Sequence, residues 1–154
     1  MAFIEMSYRS KALGMDVCLN IILPEVAKSA SESGAPEGKF KTLYLLHGLS
    51  GDHKSWMRFT SIERYAAKHK IAVVMPAVQR SWYTDTEYDM KYFTFITDEL
   101  PTVFRSYFSG ASDKRCDNLI GGLSMGGYGA MKAALTFPEK YAGVIALALF
   151  SSLR

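Results

Sequence analysis

The nine residues 118–126 run Asn-Leu-Ile-Gly-Gly-Leu-Ser-Met-Gly, a short apolar segment that leads into a serine between glycines. Gly122 and Gly126 stand two positions on either side of Ser124, which is the pattern G-x-S-x-G. In a sharp turn from a strand into a helix, this pattern presents the serine hydroxyl, and small neighbours leave room for the strained backbone. The segment therefore predicts a buried strand, a nucleophilic Ser124 and a following helix. A glycine and serine loop is the alternative, but it does not account for the apolar flanks.

A second motif lies upstream, where His47, Gly48 and Leu49 follow the apolar run 42–46. A His-Gly pair at the carboxyl end of a buried strand lets the next backbone N–H groups turn toward the neighbouring strand tip. We expect the N–H groups of Leu49 and Met125 to form an oxyanion hole, because two donors are needed for the developing charge. We interpret His47 as a structural histidine that shapes this loop, and its alternative role is that of a base.

Several segments along the chain, taken in order, are similar to one family. They are 47–51 (HGLSG), 55–56 (SW), 62–64 (IER), 73–76 (VVMP), 82–84 (WYT), 99–101 (ELP) and 122–130 (GLSMGGYGA). On these motifs the chain resembles the tributyrin esterase branch of the esterase D family, which also holds the S-formylglutathione hydrolases. The resemblance covers the whole chain. It implies an α/β-hydrolase fold, no cofactor, and cleavage of short acyl esters by a Ser-Asp-His triad through an acyl-enzyme at Ser124.

The sequence lacks part of that triad. In α/β-hydrolases the nucleophile is followed by an acid and then by a histidine. After Ser124 the chain has one acidic residue, Glu139, and no histidine. The histidines of the chain are His47, His53 and His69. We therefore expect a single α/β-hydrolase domain over 1–154 that is incomplete at its C-terminus. Loss of the base can lower turnover about a millionfold, so we expect an impaired esterase.

Alternating apolar strands and amphipathic helices predict a mostly parallel sheet with helices on both faces, truncated after about the sixth strand. Strands are predicted near 4–8, 17–23, 42–46, 71–75, 118–122 and 144–150, and helices near 61–70, 90–108 and 125–135. The first two strands can pair antiparallel through a short turn near Gly14. We expect residues 24–39 to form a surface loop.

Two of the predicted helices carry an apolar stripe. The first stripe consists of Ile62, Tyr65, Ala66 and His69, and a capping box at 60–63 precedes it. The second stripe consists of Phe93, Ile96, Leu100, Val103, Phe104 and Tyr107. Pro101 lies inside the second helix, so we expect a kink or a restart there.

Two further segments bear on substrate and partners. Trp82 and Tyr83 follow the fourth strand and could wall an acyl pocket, although ordinary core packing is the alternative for both. The final strand, 143–150, is apolar on both faces and has no charge or proline. An edge of this kind is a template for association, so we expect self-association through it.

Composition bounds the remaining possibilities. The net charge of +3 is scattered along the chain, which predicts no nucleic-acid partner. Cys18 and Cys116 match no metal-binding spacing and suit a reducing compartment. The chain has no signal-peptide pattern and no apolar run of about 20 residues. We therefore expect a cytoplasmic protein without a membrane, metal or cofactor partner.

Three functions remain open from the sequence. The first is a serine carboxylesterase acting on short-chain acyl esters. In the second, Ser124 is again the nucleophile, but the acyl acceptor or the bond that is cleaved differs. It would then be an acyltransferase or a thioesterase such as an S-formylglutathione hydrolase. The third is a non-catalytic remnant of a hydrolase, in which Ser124 would not react with a fluorophosphonate.

Overall fold

The computed structural model describes residues 1–24 and 39–148, which contain one six-stranded sheet. In chain order the strands are β1 (Ala2–Arg9), β2 (Asp16–Leu23), β3 (Thr42–Leu46), β4 (Ala72–Pro76), β5 (Asn118–Leu123) and β6 (Gly143–Leu147). Their order across the sheet is β1-β2-β4-β3-β5-β6. β1 pairs antiparallel with β2, and β2 with β4, whereas the remaining pairs are parallel. The predicted α/β fold with an antiparallel first pair is confirmed.

Helical segments connect the strands. They are α1 (Ser55–Phe59), α2 (Ile62–His69), α3 (Tyr92–Thr94), a π turn (Phe95–Glu99), α4 (Leu100–Tyr107), a 3₁₀ turn (Arg115–Asp117) and α5 (Met125–Thr136). Of the expected surface loop, residues 25–38 lie outside the described residues. The same holds for residues 149–150 of the expected last strand.

The sheet separates two apolar clusters, because successive residues of a strand point to opposite faces. In β3, Leu43 and Leu45 belong to a smaller cluster with Ala66 of α2. Tyr44 and Leu46 belong to a larger cluster on the face covered by the π turn, α4 and α5. Because β3 pairs in parallel with both β4 and β5, the carboxyl ends of these three strands lie at one edge of the sheet.

The long helical segment after β4 is not one regular α-helix. The π turn Phe95–Glu99 comes directly before α4, whose second residue is Pro101. A π turn adds one residue to a helical turn and so rotates the side chains that follow. Tyr107, which follows the π turn, is mostly exposed and does not belong to the buried stripe, whereas Phe95 at the start of the turn is fully buried. The predicted restart near Pro101 is confirmed, and the predicted stripe is wrong at Tyr107.

The expected stripe on α2 is also only half correct. Ile62 packs against the smaller cluster and Ala66 is fully buried in it, but Tyr65 and His69 are exposed. The helix therefore meets the sheet along the line through Ile62 and Ala66, and residues three positions further on rotate away from it. The capping box does not form. Ser61 makes no side-chain cap, and the Thr60 hydroxyl accepts the Ile62 N–H instead at 3.2 Å.

Candidate active site

Ser124 stands in the turn between β5 and α5 with φ 55° and ψ −116°. A left-handed backbone at a residue other than glycine costs on the order of 1–3 kcal/mol, and the surrounding structure must hold it. One hydrogen bond that does so runs from the Ser124 N–H to the carbonyl of Leu147 in β6, at 2.8 Å. The side chain is half-buried and does not cap α5. Its hydroxyl is therefore available for chemistry.

Neighbouring backbone atoms lie so close to both glycines of the motif that neither position has room for a side chain. A Cβ on Gly122 would overlap the backbone of Gly126, and a Cβ on Gly126 would overlap the carbonyl oxygen of Leu46. The same Cβ would lie 2.7 Å from the carbonyl oxygen of His47. The start of α5 thus presses directly against the end of β3. This contact brings Ser124 next to the loop that follows β3.

That loop lies beside Ser124. A Cβ placed on Gly48 would lie 3.8 Å from the Ser124 Cβ and 3.4 Å from the Leu123 carbonyl oxygen. The indole N–H of Trp56 donates to the Leu46 carbonyl at 3.1 Å and so ties α1 to the end of β3. The structure therefore brings together the two motifs that the sequence placed 75 positions apart.

His47 is almost fully buried, and both of its ring nitrogens are engaged. The backbone N–H of Val78 donates to Nε2 at 3.1 Å, so the proton of the neutral ring resides on Nδ1. Nδ1 in turn donates to the Gly48 carbonyl at 2.7 Å. Burial lowers the pKa of His47 below its usual range. With both nitrogens occupied, His47 orders the loop and is not placed to take a proton from Ser124.

The hydrogen bonds of this loop orient one peptide. The Gly48 carbonyl accepts from His47 Nδ1–H and from the Gly51 N–H, the latter at 3.0 Å. In a planar trans peptide the N–H points opposite to the carbonyl, so fixing the Gly48 oxygen also aims the Leu49 N–H. Neither the Leu49 N–H nor the Met125 N–H has an acceptor among the described residues. Two free donors beside a serine are what an oxyanion hole requires.

Trp82 and Tyr83 have different roles, although they are neighbours in sequence. Both have left-handed backbones, with φ 54° and 52°. The Trp82 ring is half exposed and packs edge to face on Tyr128, at 5.9 Å between centroids and 74° between planes. Tyr128 donates its N–H to the Ser124 carbonyl, so this exposed aromatic pair lies one helical turn along α5 from Ser124.

Tyr83, in contrast, does not line an open pocket. Its side chain is 0% exposed, its ring lies against Gly129 of α5, and its hydroxyl donates to the His47 carbonyl at 2.8 Å. The interpretation of Tyr83 as a wall of an acyl pocket is therefore corrected. The left-handed turn directs the Tyr83 ring inward, where it joins the loop after β3 to α5.

No base contacts the nucleophile within the described ranges 1–24 and 39–148, where the Ser124 hydroxyl makes no hydrogen bond. His53 lines cavities beside β2, and His69 is exposed on α2. Glu139 is exposed and lines a cavity near the amino end of β5. The described part of the chain thus holds a serine in a strained turn and two free backbone N–H groups nearby, without an acid and a base in contact with the serine.

Residues 1–24 and 39–148 contain no group of three or more His, Cys, Asp or Glu side chains that could hold a metal ion. They also contain no helix with the length and hydropathy needed to span a bilayer.

Several contacts of the site join segments that are distant in the sequence. The Val78 N–H and the Tyr83 hydroxyl reach His47 from 31 and 36 positions away, and neither motif indicates them. The Ser124 to Leu147 hydrogen bond is also unpredicted. The parallel pairing of β5 with β6 could have suggested it, because Leu123 and Leu147 are partners in that register.

The strand order, the turn at Ser124 and the helices on both faces define the class, which is that of α/β-hydrolase folds. The family model "Esterase: Putative esterase" matches residues 10–153, and the chain belongs to this esterase family. An acetyl esterase from Caldicellulosiruptor saccharolyticus is 34% identical over 149 residues, which cover 96% of this chain and 56% of that protein.

Solved structures of serine hydrolases are also similar to this chain. The fluorophosphonate-binding serine hydrolase FphF of Staphylococcus aureus is 44% identical with a TM-score of 0.86, over 96% of this chain and 57% of that one. The S-formylglutathione hydrolase FrmB from the same species is 43% identical with a TM-score of 0.83 and the same coverage. The chain therefore spans little more than half the length of the relatives it matches.

Proposed function

We propose that this chain carries the nucleophile of a serine carboxylesterase that cleaves short-chain acyl esters of the tributyrin type. The observation that carries the proposal is the left-handed Ser124 beside the free N–H groups of Leu49 and Met125. The acetyl esterase relative supports a short acyl group. The exposed pair Trp82 and Tyr128 lies one helical turn from Ser124 and is our candidate for an apolar wall of the acyl site.

The reaction has two halves. The Ser124 oxygen attacks the ester carbonyl carbon, the carbonyl oxygen becomes an oxyanion held by Leu49 and Met125, and the alcohol leaves with a proton. Water then attacks the acyl-enzyme, which releases the acid and restores the hydroxyl. Each oxyanion donor is worth about 3 kcal/mol of barrier. Both halves need a base to accept a proton, and no described residue in contact with Ser124 supplies one.

The first experiment detects the acyl-enzyme directly. The protein is incubated with p-nitrophenyl acetate, and intact mass spectrometry with peptide mapping locates any acetyl group. We expect slow acetylation at Ser124, none in Ser124→Ala, and unchanged acetylation in the control Ser106→Ala on α4. Added imidazole should accelerate the reaction, because no described base contacts Ser124. Acetylation that is spread over surface lysines and persists in Ser124→Ala would contradict the proposal.

A thioesterase of the S-formylglutathione hydrolase type is the second candidate, and the relative FrmB favours it. The esterase and the thioesterase can be distinguished by comparing an acyl thioester of glutathione with an oxygen ester that carries the same acyl group. The ratio of the two acylation rates, thioester over oxygen ester, is measured with the protein and again with imidazole alone. A larger ratio with the protein would favour the thioesterase. An acyltransferase would instead give ester product when an alcohol competes with water. A non-catalytic remnant would give no acyl-enzyme with any of these substrates.

The cytoplasm is the compartment we propose for the protein. The support is that both Cys18 and Cys116 are free thiols. Cell fractionation with an antibody against the protein would test this directly.

A further inference from the structure

The positive charge of the chain is concentrated in one short segment. Residues 54–70 contain five Lys and Arg residues and one acidic residue, so their net charge is +4. The rest of the chain contains 13 Lys and Arg and 14 Asp and Glu, so its net charge is −1. Residues 54–70 include α1 and α2. The segment of these two helices therefore carries the charge that makes the chain basic.

The cations of α2 point away from the sheet. Ile62 and Ala66 lie against the smaller apolar cluster. Successive residues of a helix are about 100° apart around its axis, so Arg64 and Lys68 lie on the opposite side of α2. Both side chains are exposed, and neither forms an ion pair with a described carboxylate.

α1 is arranged in the same way. Trp56 and Met57 pack against the smaller cluster, whereas Arg58 and Phe59 are exposed. Arg58 also forms no ion pair with a described carboxylate. Because both helices pack on the same face of the sheet, their outer sides point away from that face together. We call the residues on these outer sides the outer basic face, which consists of Arg58, Phe59, Arg64, Tyr65 and Lys68.

Two aromatic rings accompany the cations. Phe59 is 75% exposed and Tyr65 is 52% exposed. The Arg58 guanidinium lies 5.2 Å from the centroid of the Phe59 ring, and the Arg64 guanidinium lies 5.4 Å from that of the Tyr65 ring. Each cation–π contact keeps an arginine beside an exposed ring. The outer basic face therefore presents cations and apolar surface side by side.

We propose that the outer basic face binds the headgroup layer of an anionic lipid bilayer. Arg58, Arg64 and Lys68 face the lipid phosphates, and the Phe59 ring enters the boundary between headgroups and acyl chains. The phosphates supply the negative partners that no described carboxylate gives these three side chains. This binding does not rest on the proposed esterase function.

A lipid surface fits the outer basic face better than a nucleic acid does. A single-stranded nucleic acid would stack its bases on the exposed rings, but an arginine already lies over one face of each ring. Entry into a headgroup layer requires only that a ring project from the surface, as Phe59 does. The expectation of no membrane partner rests on the lack of a signal-peptide pattern and of a long apolar run, and a peripheral contact requires neither.

Vesicle flotation tests the proposal, because bound protein rises with the lipid whereas self-associated protein does not. The vesicles contain phosphatidylcholine and phosphatidylglycerol in equal parts, or phosphatidylcholine alone. We expect binding to the anionic vesicles to be at least about tenfold stronger than to the neutral ones, and to weaken as salt is raised. Phe59→Ser should weaken this binding about fivefold, because less apolar surface enters the bilayer.

A triple variant tests the cations. Arg58→Gln, Arg64→Gln and Lys68→Gln together should weaken binding to the anionic vesicles about a hundredfold, because each cation near an anionic surface strengthens binding about fivefold. All three side chains are exposed, so the variant should fold, and thermal unfolding checks that it does.

The matched control is a second triple variant, Lys11→Gln, Lys91→Gln and Lys114→Gln. It removes the same charge from exposed side chains outside residues 54–70. Charges beyond about 10 Å from the lipid surface are largely screened, so this control should bind within about threefold of the unmodified protein.

Four results would overturn the proposal. The first is no binding to the anionic vesicles, and the second is equal binding to the neutral ones. The third is equal weakening in both triple variants, which would indicate attraction by net charge alone. The fourth is binding of a single-stranded oligonucleotide without binding of vesicles, which would assign the outer basic face to a nucleic acid. None of these readouts depends on esterase activity.

Discussion

Gly126→Ala is the sharpest perturbation of the contact between β3 and α5. The added methyl group would overlap the Leu46 carbonyl oxygen and lie 2.7 Å from that of His47. Both oxygens belong to the backbone, so relief requires a shift of the strand end or of the helix. Overpacking of this kind costs up to about 3 kcal/mol, whereas alanine in place of glycine in a helix gains about 1 kcal/mol. We therefore expect a net loss of about 2 kcal/mol in the free energy of unfolding.

Gly143→Ala is the matched control, because it makes the same chemical change in open surroundings. Its new methyl group would meet only a side-chain carbon of Leu119 at 3.4 Å. Urea denaturation measures both variants, and the loss in Gly126→Ala corresponds to a fall of about 4–8 °C in Tm for a protein of this size. If Gly126→Ala is as stable as Gly143→Ala, the argument that backbone contact at Gly126 holds the site together is refuted.

Three further predictions concern other contacts. Burial lowers the pKa of His47, so below about pH 6.5 the unfolded chain binds more protons than the folded one, and stability to urea should fall from pH 7 to pH 5.5. Tyr83→Phe leaves the His47 carbonyl without its hydroxyl donor and should cost about 1–3 kcal/mol in urea denaturation. Ile145 is half exposed on β6, an edge of the described sheet, so light scattering should detect self-association that Ile145→Lys reduces.

The first two of these predictions have a control variant, and all three have a contradicting result. His53→Gln should retain most of the pH dependence, and a urea midpoint that is equal or higher at pH 5.5 would contradict the role of His47. Tyr88→Phe, at a side chain that is 93% exposed, should leave stability unchanged. An equal loss of stability in both tyrosine variants would contradict the claim that the Tyr83 hydroxyl stabilises the fold through the His47 carbonyl. A monodisperse monomer in light scattering would count against association through β6.

The sequence predicted best where residues close in the chain determine the structure. The strand, turn and helix around Ser124 depend on local apolar spacing and on Gly122 and Gly126, and all three form where expected. The His47 loop was also placed correctly beside this turn, because parallel strands bring their carboxyl ends to one edge.

Contacts between distant segments could not be predicted from local patterns. The position of Tyr83 depends on two consecutive left-handed residues, a conformation that Trp82 and Tyr83 themselves disfavour. The π turn before Pro101 shifts the helical phase, so a stripe drawn with one period misplaces Tyr107. The side chains of Tyr44, Asn118 and Tyr141 each contain a buried polar atom without a described partner. This depends on how β3, β5 and the segment before β6 pack together, which no local pattern predicts.

Covalent labelling of Ser124 by a fluorophosphonate tests the central claim most directly, because it requires the strained serine and the oxyanion donors but no particular substrate. The relative FphF is itself described as a fluorophosphonate-binding serine hydrolase. Intact mass spectrometry should show one adduct per chain, mapped to Ser124, absent in Ser124→Ala and present in Ser106→Ala. No adduct on the folded protein, or an adduct on another residue, would contradict the claim that this chain presents a reactive nucleophile.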